Sequence, residues 1–212
     1  MTSFSARVAD RGFRLLMKRE PANPDELVTR LRRIAAVARL PGGLPSGVTA
    51  RKTTIGNEPA VPPGVPAVRV SPSQPTATVL YLHGGAFISG RFRTYAELCG
   101  QLAKRLNARV FWIDYRLAPE APYPAALDDA HHAYRALAED YPDEPLALIG
   151  DSAGGNLTLA TLLRLRDAQA ASPDPSPRMP ACAVSISPGA DAVGDAPSVS
   201  STPPPLPTIY PV

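Results

Sequence analysis

A serine between two glycines is the residue in this sequence best suited to covalent chemistry. Its segment reads Gly150-Asp151-Ser152-Ala153-Gly154. An apolar run at 146–149 precedes it and a helix-like run at 156–166 follows, so the pattern predicts a strand, a tight turn and a helix. The glycines let strand and helix pass closely, because a Cβ at either position would resist so sharp a turn. The pentapeptide alone also fits a serine that merely caps a helix, but the flanking strand and helix favour a nucleophile at a helix N-terminus.

A second segment supplies backbone donors of the kind that acyl transfer needs. The strand predicted at 77–82 runs directly into His83-Gly84-Gly85-Ala86-Phe87. Consecutive glycines let N–H groups turn toward one point, where they can stabilise the oxyanion of a tetrahedral intermediate. A simple turn would also use two glycines. It would not explain why both motifs follow strands, in this order.

The elements that must position these motifs alternate between strand and helix. Strands are predicted at 48–55, 67–70, 77–82, 109–113, 146–149 and 181–186, and helices at 94–106, 124–139 and 155–169. This alternation predicts an α/β fold with a mostly parallel sheet and helices on both faces. Ligand sites in such sheets lie beyond the carboxyl ends of the strands, where both motifs fall.

Three blocks together resemble the hormone-sensitive-lipase-like family of α/β-hydrolase fold serine esterases. The blocks are residues 83–87, 114–129 and 150–157. The resemblance implies the α/β-hydrolase fold and a carboxylic-ester hydrolase for short or medium acyl esters, with no metal or organic cofactor. It implies that Ser152 is the nucleophile. The implied oxyanion hole is formed by the N–H groups of Gly84, Gly85 and Ala153, and the residues implied to support the motifs are His83, Asp151, Gly150 and Gly154.

Two departures within these blocks concern supporting residues. Ala86 replaces the third glycine of the family's usual run, and we expect little effect because alanine keeps its N–H group. The charged block Asp114–Glu120 is expected to brace the loops around the site rather than to catalyse.

The resemblance also divides the chain into three parts. Residues 1–47 are expected to form N-terminal cap helices and a connector, 48–191 a partial catalytic domain, and 192–212 a disordered Pro/Ser-rich tail. A cap helix is predicted to begin at Asn23-Pro24-Asp25-Glu26, a helix-start pattern. Its apolar face would carry Leu27, Leu31, Ile34 and Ala38.

The composition of the chain fits a soluble globular protein. The chain has 212 residues, a net charge of +3 and two cysteines, Cys99 and Cys182, which we expect to be buried. Residues 1–40 carry nine basic and four acidic side chains. In the predicted helix, however, no aromatic residue interleaves Arg30, Arg32 and Arg33 as nucleic-acid stacking would require. The resemblance implies a small-molecule ester substrate. From composition and charge we expect no nucleic-acid partner, no stable membrane anchor and a cytoplasmic location, and the oligomeric state stays open.

The base and acid of a catalytic triad are not evident. In α/β-hydrolases they follow the serine, whereas His83, His131 and His132 all precede Ser152. We expect the last two strands of the resembled fold to be missing, through a truncation or frame shift near residue 194, and activity to be impaired. The strand at 181–186 would then be an unprotected apolar edge. The alternatives are a non-catalytic ligand-binding homologue and a non-functional fragment.

Overall fold

The chain is organised around a mixed β-sheet. The structure is a computed structural model that describes residues 23–37, 43–56, 64–171 and 178–189. The strands in these ranges are β1 (Thr49–Ile55), β2 (Val65–Ser71), β3 (Ala77–Leu82), β4 (Ala108–Ile113), β5 (Leu146–Asp151) and β6 (Cys182–Ile186). Their order across the sheet is β1-β2-β4-β3-β5-β6. Strand β2 runs antiparallel to both β1 and β4, whereas β4, β3, β5 and β6 are mutually parallel.

Helices cover both faces of this sheet, as the alternating pattern predicts. They are α1 (Pro24–Val37), α2 (Phe92–Arg105), α3 (Ala125–Asp140) and α4 (Ala153–Ala171). Helix α2 packs through Cys99 and Ala103 on the face that carries Trp112. Helices α3 and α4 pack on the opposite face, with Tyr134 and Leu165 in a common core.

The central strands are buried because their residues are apolar toward both faces. Leu80 and Leu148 contribute to the core beneath α3 and α4, while Val79 and Ile149 point into the core beneath α2. A fully buried aliphatic side chain stabilises the fold by about 1.5–3 kcal/mol. These strands therefore fix the carboxyl edge of the sheet, which carries both motifs.

Helix α1 begins where its start pattern predicts. Pro24 occupies the first helical position, and the Asn23 side-chain oxygen accepts a hydrogen bond of 2.8 Å from the Glu26 N–H. This bond satisfies one of the N–H groups that a helix leaves unpaired at its start. Of the predicted apolar face, Leu31 is half-buried. Ala38, the first 22 residues and the predicted tail at 192–212 lie outside the described residues.

One burial prediction is wrong. Cys99 is buried as expected, but Cys182 is exposed. The reason is its position on β6, which is the last strand of the described sheet. Val184 and Ile186 on the same strand are 38% and 45% exposed, as expected of an apolar edge. An apolar strand sequence does not reveal whether its outer face is covered.

Candidate active site

Ser152 occupies a strained turn between β5 and α4. Its φ angle is 52°, in the left-handed region that non-glycine residues rarely adopt. The Ser152 N–H donates to the Ile186 carbonyl at 2.8 Å, and the Ser152 carbonyl accepts from the Asn156 N–H at 3.0 Å. These bonds hold the strained residue, because such a conformation persists only where its surroundings over-determine it.

Close backbone approach explains the two glycines of the serine motif. A Cβ on Gly150 would overlap the Gly154 carbonyl, and a Cβ on Gly154 would overlap the Leu82 carbonyl. Helix α4 therefore begins in contact with both β5 and β3. This agrees with the steric role that the sequence suggests for both glycines.

Asp151 joins the serine turn to the loop after β3. Its Oδ1 accepts hydrogen bonds from the Tyr81 hydroxyl at 2.9 Å and the Gly84 N–H at 3.0 Å, and its Oδ2 accepts from the Tyr95 hydroxyl at 3.1 Å. Burial, and then the Asp151 charge, raises the pKa of both tyrosines above the ordinary value. Both phenols therefore remain donors at neutral pH. Sequence reasoning missed these tyrosines, because their meeting point depends on the sheet order.

The loop after β3 corrects one member of the expected oxyanion hole. The Gly84 N–H donates to Asp151 Oδ1 and to the Tyr95 hydroxyl, each at 3.0 Å, so it is not directed at a substrate. A Cβ on Gly84 would overlap the Asp151 carboxylate, which accounts for the glycine. The Gly84 N–H therefore anchors the loop to the serine turn and to Tyr95 in this structure.

The next residues of this loop offer N–H groups that are not engaged. Gly85, Ala86 and Phe87 have φ angles of 129°, 54° and 61°. The turn is closed by the N–H groups of Ile88 and Ser89, which donate to the Gly85 carbonyl at 3.1 and 3.0 Å. Within the described ranges, the N–H groups of Gly85 and Ala86 have no acceptor. Ala153 is the first residue of α4, so its N–H is one that the helix itself leaves unpaired.

His83 is built into the core beneath this loop. Its ring stacks between Trp112 and Tyr115, with centroid distances of 4.8 and 4.2 Å. Its Nδ1 donates to the Gly84 carbonyl at 2.7 Å, and the Tyr115 hydroxyl donates to the His83 carbonyl at 2.6 Å. Burial lowers the pKa of His83, which keeps the ring neutral. This agrees with the structural role expected for His83.

The other two histidines lie in the middle of α3. His131 and His132 are half-buried, and the Nε2 atom of each is buried without a hydrogen-bond partner in the described part of the chain. Burial and then the Arg164 charge lower the pKa of His131 to about 4. Among the described residues, no side chain hydrogen-bonds to the Ser152 hydroxyl.

An apolar cavity of about 340 Å³ opens beside the start of α4. It lies between the loop after β3, the segment after β4, and helices α3 and α4. Its lining includes Phe87, Tyr123, Leu127, Leu157 and Ala160. Asn156 and Leu157 also line it, four and five residues after Ser152, so the cavity reaches the first turns of the helix that follows the serine.

The charged block after β4 braces the loops, as the sequence suggests. The Arg116 guanidinium donates to Asp129 Oδ1 from Nη2 at 2.7 Å, and the Arg116 N–H donates to Asp129 Oδ2 at 2.8 Å. Glu120 accepts two hydrogen bonds from Arg32 of α1. The sequence pattern of α1 does not predict this pairing.

Two features are absent from the part of the chain that the structure describes. It holds no group of three or more His, Cys, Asp and Glu side chains that could bind a metal ion. None of its helices combines the length and hydropathy that crossing a bilayer requires.

Residues 79–206 match a protein-family model described as the alpha/beta hydrolase fold. The chain belongs to the alpha/beta hydrolase fold family. The matched span includes both the glycine loop and the serine turn. The fold expected from the resemblance is therefore confirmed.

Individual relatives indicate which members of the family this alpha/beta hydrolase is similar to. An acetyl-hydrolase of Streptomyces hygroscopicus is 44% identical over 115 residues, which are 54% of this chain and 36% of that protein. A putative acetyl-hydrolase, LipR, of Mycobacterium tuberculosis is 44% identical over 107 residues, 49% of this chain and 35% of that protein. The crystal structure of an esterase from the bacterial hormone-sensitive lipase family is 28% identical, with a TM-score of 0.67, over 89% of this chain and 58% of that one.

These matches confirm the resemblance to the hormone-sensitive-lipase-like branch of the family. The chain spans little more than a third of the length of these two curated relatives, at 36% and 35%.

Proposed function

We propose that this chain carries the nucleophile and the oxyanion hole of a carboxylic-ester hydrolase, with Ser152 as the nucleophile. The observation that carries the proposal is the strained Ser152 turn, with a φ of 52°, at the start of α4. Strain of this kind clusters at active sites. The relatives named acetyl-hydrolase support an ester as the substrate class.

The oxyanion hole would consist of the N–H groups of Gly85, Ala86 and Ala153. Gly85 is retained from the expected set, and Ala86 takes the place of Gly84, whose N–H is bonded to Asp151. Donors of this kind stabilise the negative charge on the carbonyl oxygen as the tetrahedral intermediate forms. Removing one donor commonly reduces turnover by about 10²–10³-fold.

The reaction would proceed through an acyl-enzyme. The Ser152 Oγ attacks the ester carbonyl carbon, and the new Oγ–C bond replaces the bond to the leaving alcohol. The hydroxyl proton leaves with the alcohol. Water then attacks the acyl-serine, releases the acid and restores the hydroxyl.

Proton transfer is the weak step of this scheme in the 212-residue chain. His83 is stacked in the core, and His131 and His132 lie on α3, so none is bonded to Ser152. Loss of a triad base lowers turnover by about 10⁴–10⁶-fold in serine hydrolases. We therefore expect acylation by activated esters, whose leaving groups need little protonation, and very slow turnover of ordinary esters.

The apolar cavity beside α4 would hold the hydrocarbon part of the ester. Its volume of about 340 Å³ and its lining of alanine, leucine and aromatic side chains suit a short or medium chain. Ala160 is small, so Ala160→Leu would fill part of this space. We expect that variant to discriminate against longer acyl or alkyl chains.

Mass spectrometry of the intact chain after incubation with p-nitrophenyl butyrate tests the proposal. We expect one butyryl group, located on Ser152 by peptide mapping, and none on Ser152→Ala. A matched control is Ser89→Ala, because Ser89 lies in the neighbouring loop and should not be acylated. A butyryl group on another residue, or an equal yield from Ser152→Ala, would contradict the assignment of the nucleophile.

A ligand-binding protein without catalysis is the second candidate. The position of the three histidines away from Ser152 favours it, because the cavity could hold an ester that is not attacked. Binding of a fluorescent butyrate ester with no acyl adduct, even after long incubation, would select this candidate over the hydrolase.

A further inference from the structure

Arg32 of helix α1 joins three segments of the chain with four hydrogen bonds. Its Nε donates to the Ile88 carbonyl at 2.9 Å, and its Nη2 donates to the Ala118 carbonyl at 3.0 Å. The two terminal nitrogens donate to the carboxylate of Glu120, at 2.7 Å from Nη1 and 2.6 Å from Nη2. A planar guanidinium can make all these bonds at once, whereas an ammonium group cannot.

The two carbonyls belong to the loops that shape the candidate site. Ile88 lies in the turn that carries the Gly85 and Ala86 N–H groups, and its own N–H closes that turn onto the Gly85 carbonyl at 3.1 Å. Ala118 follows β4, and its N–H donates to the Phe87 carbonyl at 2.9 Å. The two loops are therefore bonded to each other, and Arg32 is bonded to both.

The ion pair alone does not account for this arrangement. The Glu120 side chain is 63% exposed, and an exposed pair contributes little because water and salt screen it. Hydrogen bonding from Arg32 lowers the pKa of Glu120 to about 2, so the pair stays charged across the physiological range. Glu120 thereby orients the guanidinium, while the bonds to the two carbonyls act on the loops.

We propose that Arg32 is a positioning residue. It holds two loops in the geometry that acylation of Ser152 requires: at Ile88 the loop of residues 83–89, which carries the proposed oxyanion donors and is here called the oxyanion loop, and at Ala118 the neighbouring loop. Arg32 does not touch the reacting atoms and acts only through these two carbonyls. The inference rests on the proposed function, because it assigns a purpose to the loop in that reaction. It predicts that helix α1 affects acylation through Arg32.

The test compares variants of Arg32 with a control on the same helix. Arg32→Met removes all four bonds, and Arg32→Lys keeps the charge but cannot reach all the acceptors. Arg33→Met is the control, because Arg33 is exposed on α1 and has no hydrogen bond to these loops. The charge swap Arg32→Glu with Glu120→Arg restores an ion pair but leaves the carbonyls without a donor on α1.

Two readouts are measured on the full chain. The first is amide hydrogen exchange at Ile88, Ser89 and Ala118, which we expect to be about tenfold faster in Arg32→Met, since a hydrogen bond from a charged group is lost at each loop. The second is the rate of butyryl transfer to Ser152 at saturating and at low p-nitrophenyl butyrate. We expect the saturating rate to fall about tenfold, with little change in the concentration for half-saturation. Arg32→Lys should lie between Arg32→Met and the unaltered chain.

The charge swap decides between this proposal and a simple ion pair. We expect the swapped chain to behave like Arg32→Met in both readouts. Recovery of protection and acylation in the swap, or values for Arg32→Met equal to those of Arg33→Met, would overturn the proposal. Failure of the unaltered chain to acquire any acyl group on Ser152 would instead refute the proposed function, because the exchange readout does not depend on acylation.

Discussion

Replacing Asp151 with asparagine should uncouple the serine turn from the oxyanion loop. The carboxylate accepts three hydrogen bonds, from Tyr81, Gly84 and Tyr95, at 2.9–3.1 Å. The asparagine side chain would have nearly the same shape as the aspartate that it replaces. Its oxygen could still accept from Tyr81 and Gly84, but its NH₂ group could not accept from the Tyr95 hydroxyl.

The expected loss of stability follows from these bonds. A hydrogen bond to a charged group contributes about 1.5–3 kcal/mol, against about 0.5–1.5 kcal/mol for a neutral pair. Three weakened bonds would therefore cost about 3 kcal/mol. Removing the charge from a half-buried site offsets part of this, because a carboxylate is costly to desolvate. We expect Asp151→Asn to lower the free energy of unfolding by about 1–3 kcal/mol.

Urea unfolding followed by circular dichroism measures this difference. The matched control is Asp143→Asn, because Asp143 is exposed in the turn before β5 and has no hydrogen bond to the site. A double-mutant cycle with Tyr95→Phe isolates one bond, and we expect a coupling of about 1 kcal/mol. Equal stability of Asp151→Asn and Asp143→Asn would refute the view that the carboxylate ties the two motifs together.

Three further predictions concern the core, the thiols and a histidine. Gly154→Ala should lower the free energy of unfolding, measured with urea, by several kcal/mol, roughly the scale of a forced backbone shift. Gly43→Ala should not lower it, because a Cβ at Gly43 meets open space. Iodoacetamide at about pH 8 should modify exposed Cys182 rapidly and spare Cys99, since burial raises the Cys99 pKa to about 12; equal labelling would contradict the burial. The His131 pKa of about 4 lies below the ordinary 6.5, so the unfolded chain takes up the proton first and stability should fall as pH drops from about 6.5 to 4. Over this pH range, the free energy of unfolding measured with urea should fall by roughly 1–2 kcal/mol less in His131→Gln than in the unaltered chain, after allowance for solvent screening. The same pH dependence in both chains would refute this prediction.

The sequence predicts the central elements well because their signals are local. Strands β3 and β5 are apolar runs followed by His83-Gly84 and by Gly150, and the structure starts both at the predicted residues, 77 and 146. The serine turn is likewise specified by its own glycines. Helix α4 begins at Ala153 rather than at residue 155, because the helix starts immediately after the strained serine.

The parts that sequence reasoning missed depend on contacts between distant residues. Whether Gly84 or Ala86 offers its N–H cannot be read from a glycine run, because Asp151 engages the Gly84 N–H from 67 residues further along the chain. The exposure of Cys182 depends on what covers β6. The role of Arg32 depends on two carbonyls that are 56 and 86 residues away, and its sequence context shows only a charge off the apolar face.

Two of these distant contacts hold the two ends of the oxyanion loop. Its first N–H is fixed by Asp151 of the serine turn, and its Ile88 carbonyl is fixed by Arg32 of α1. Between the two anchors, Ala86 and Phe87 hold left-handed φ angles of 54° and 61° that would relax in a free segment. The bonds within the turn and the bond from the Ala118 N–H to the Phe87 carbonyl also hold this segment, and we expect its conformation to loosen when either anchor is lost. The conformation on which the proposed chemistry depends is therefore supported at both ends by side chains to which the proposal assigns no reaction.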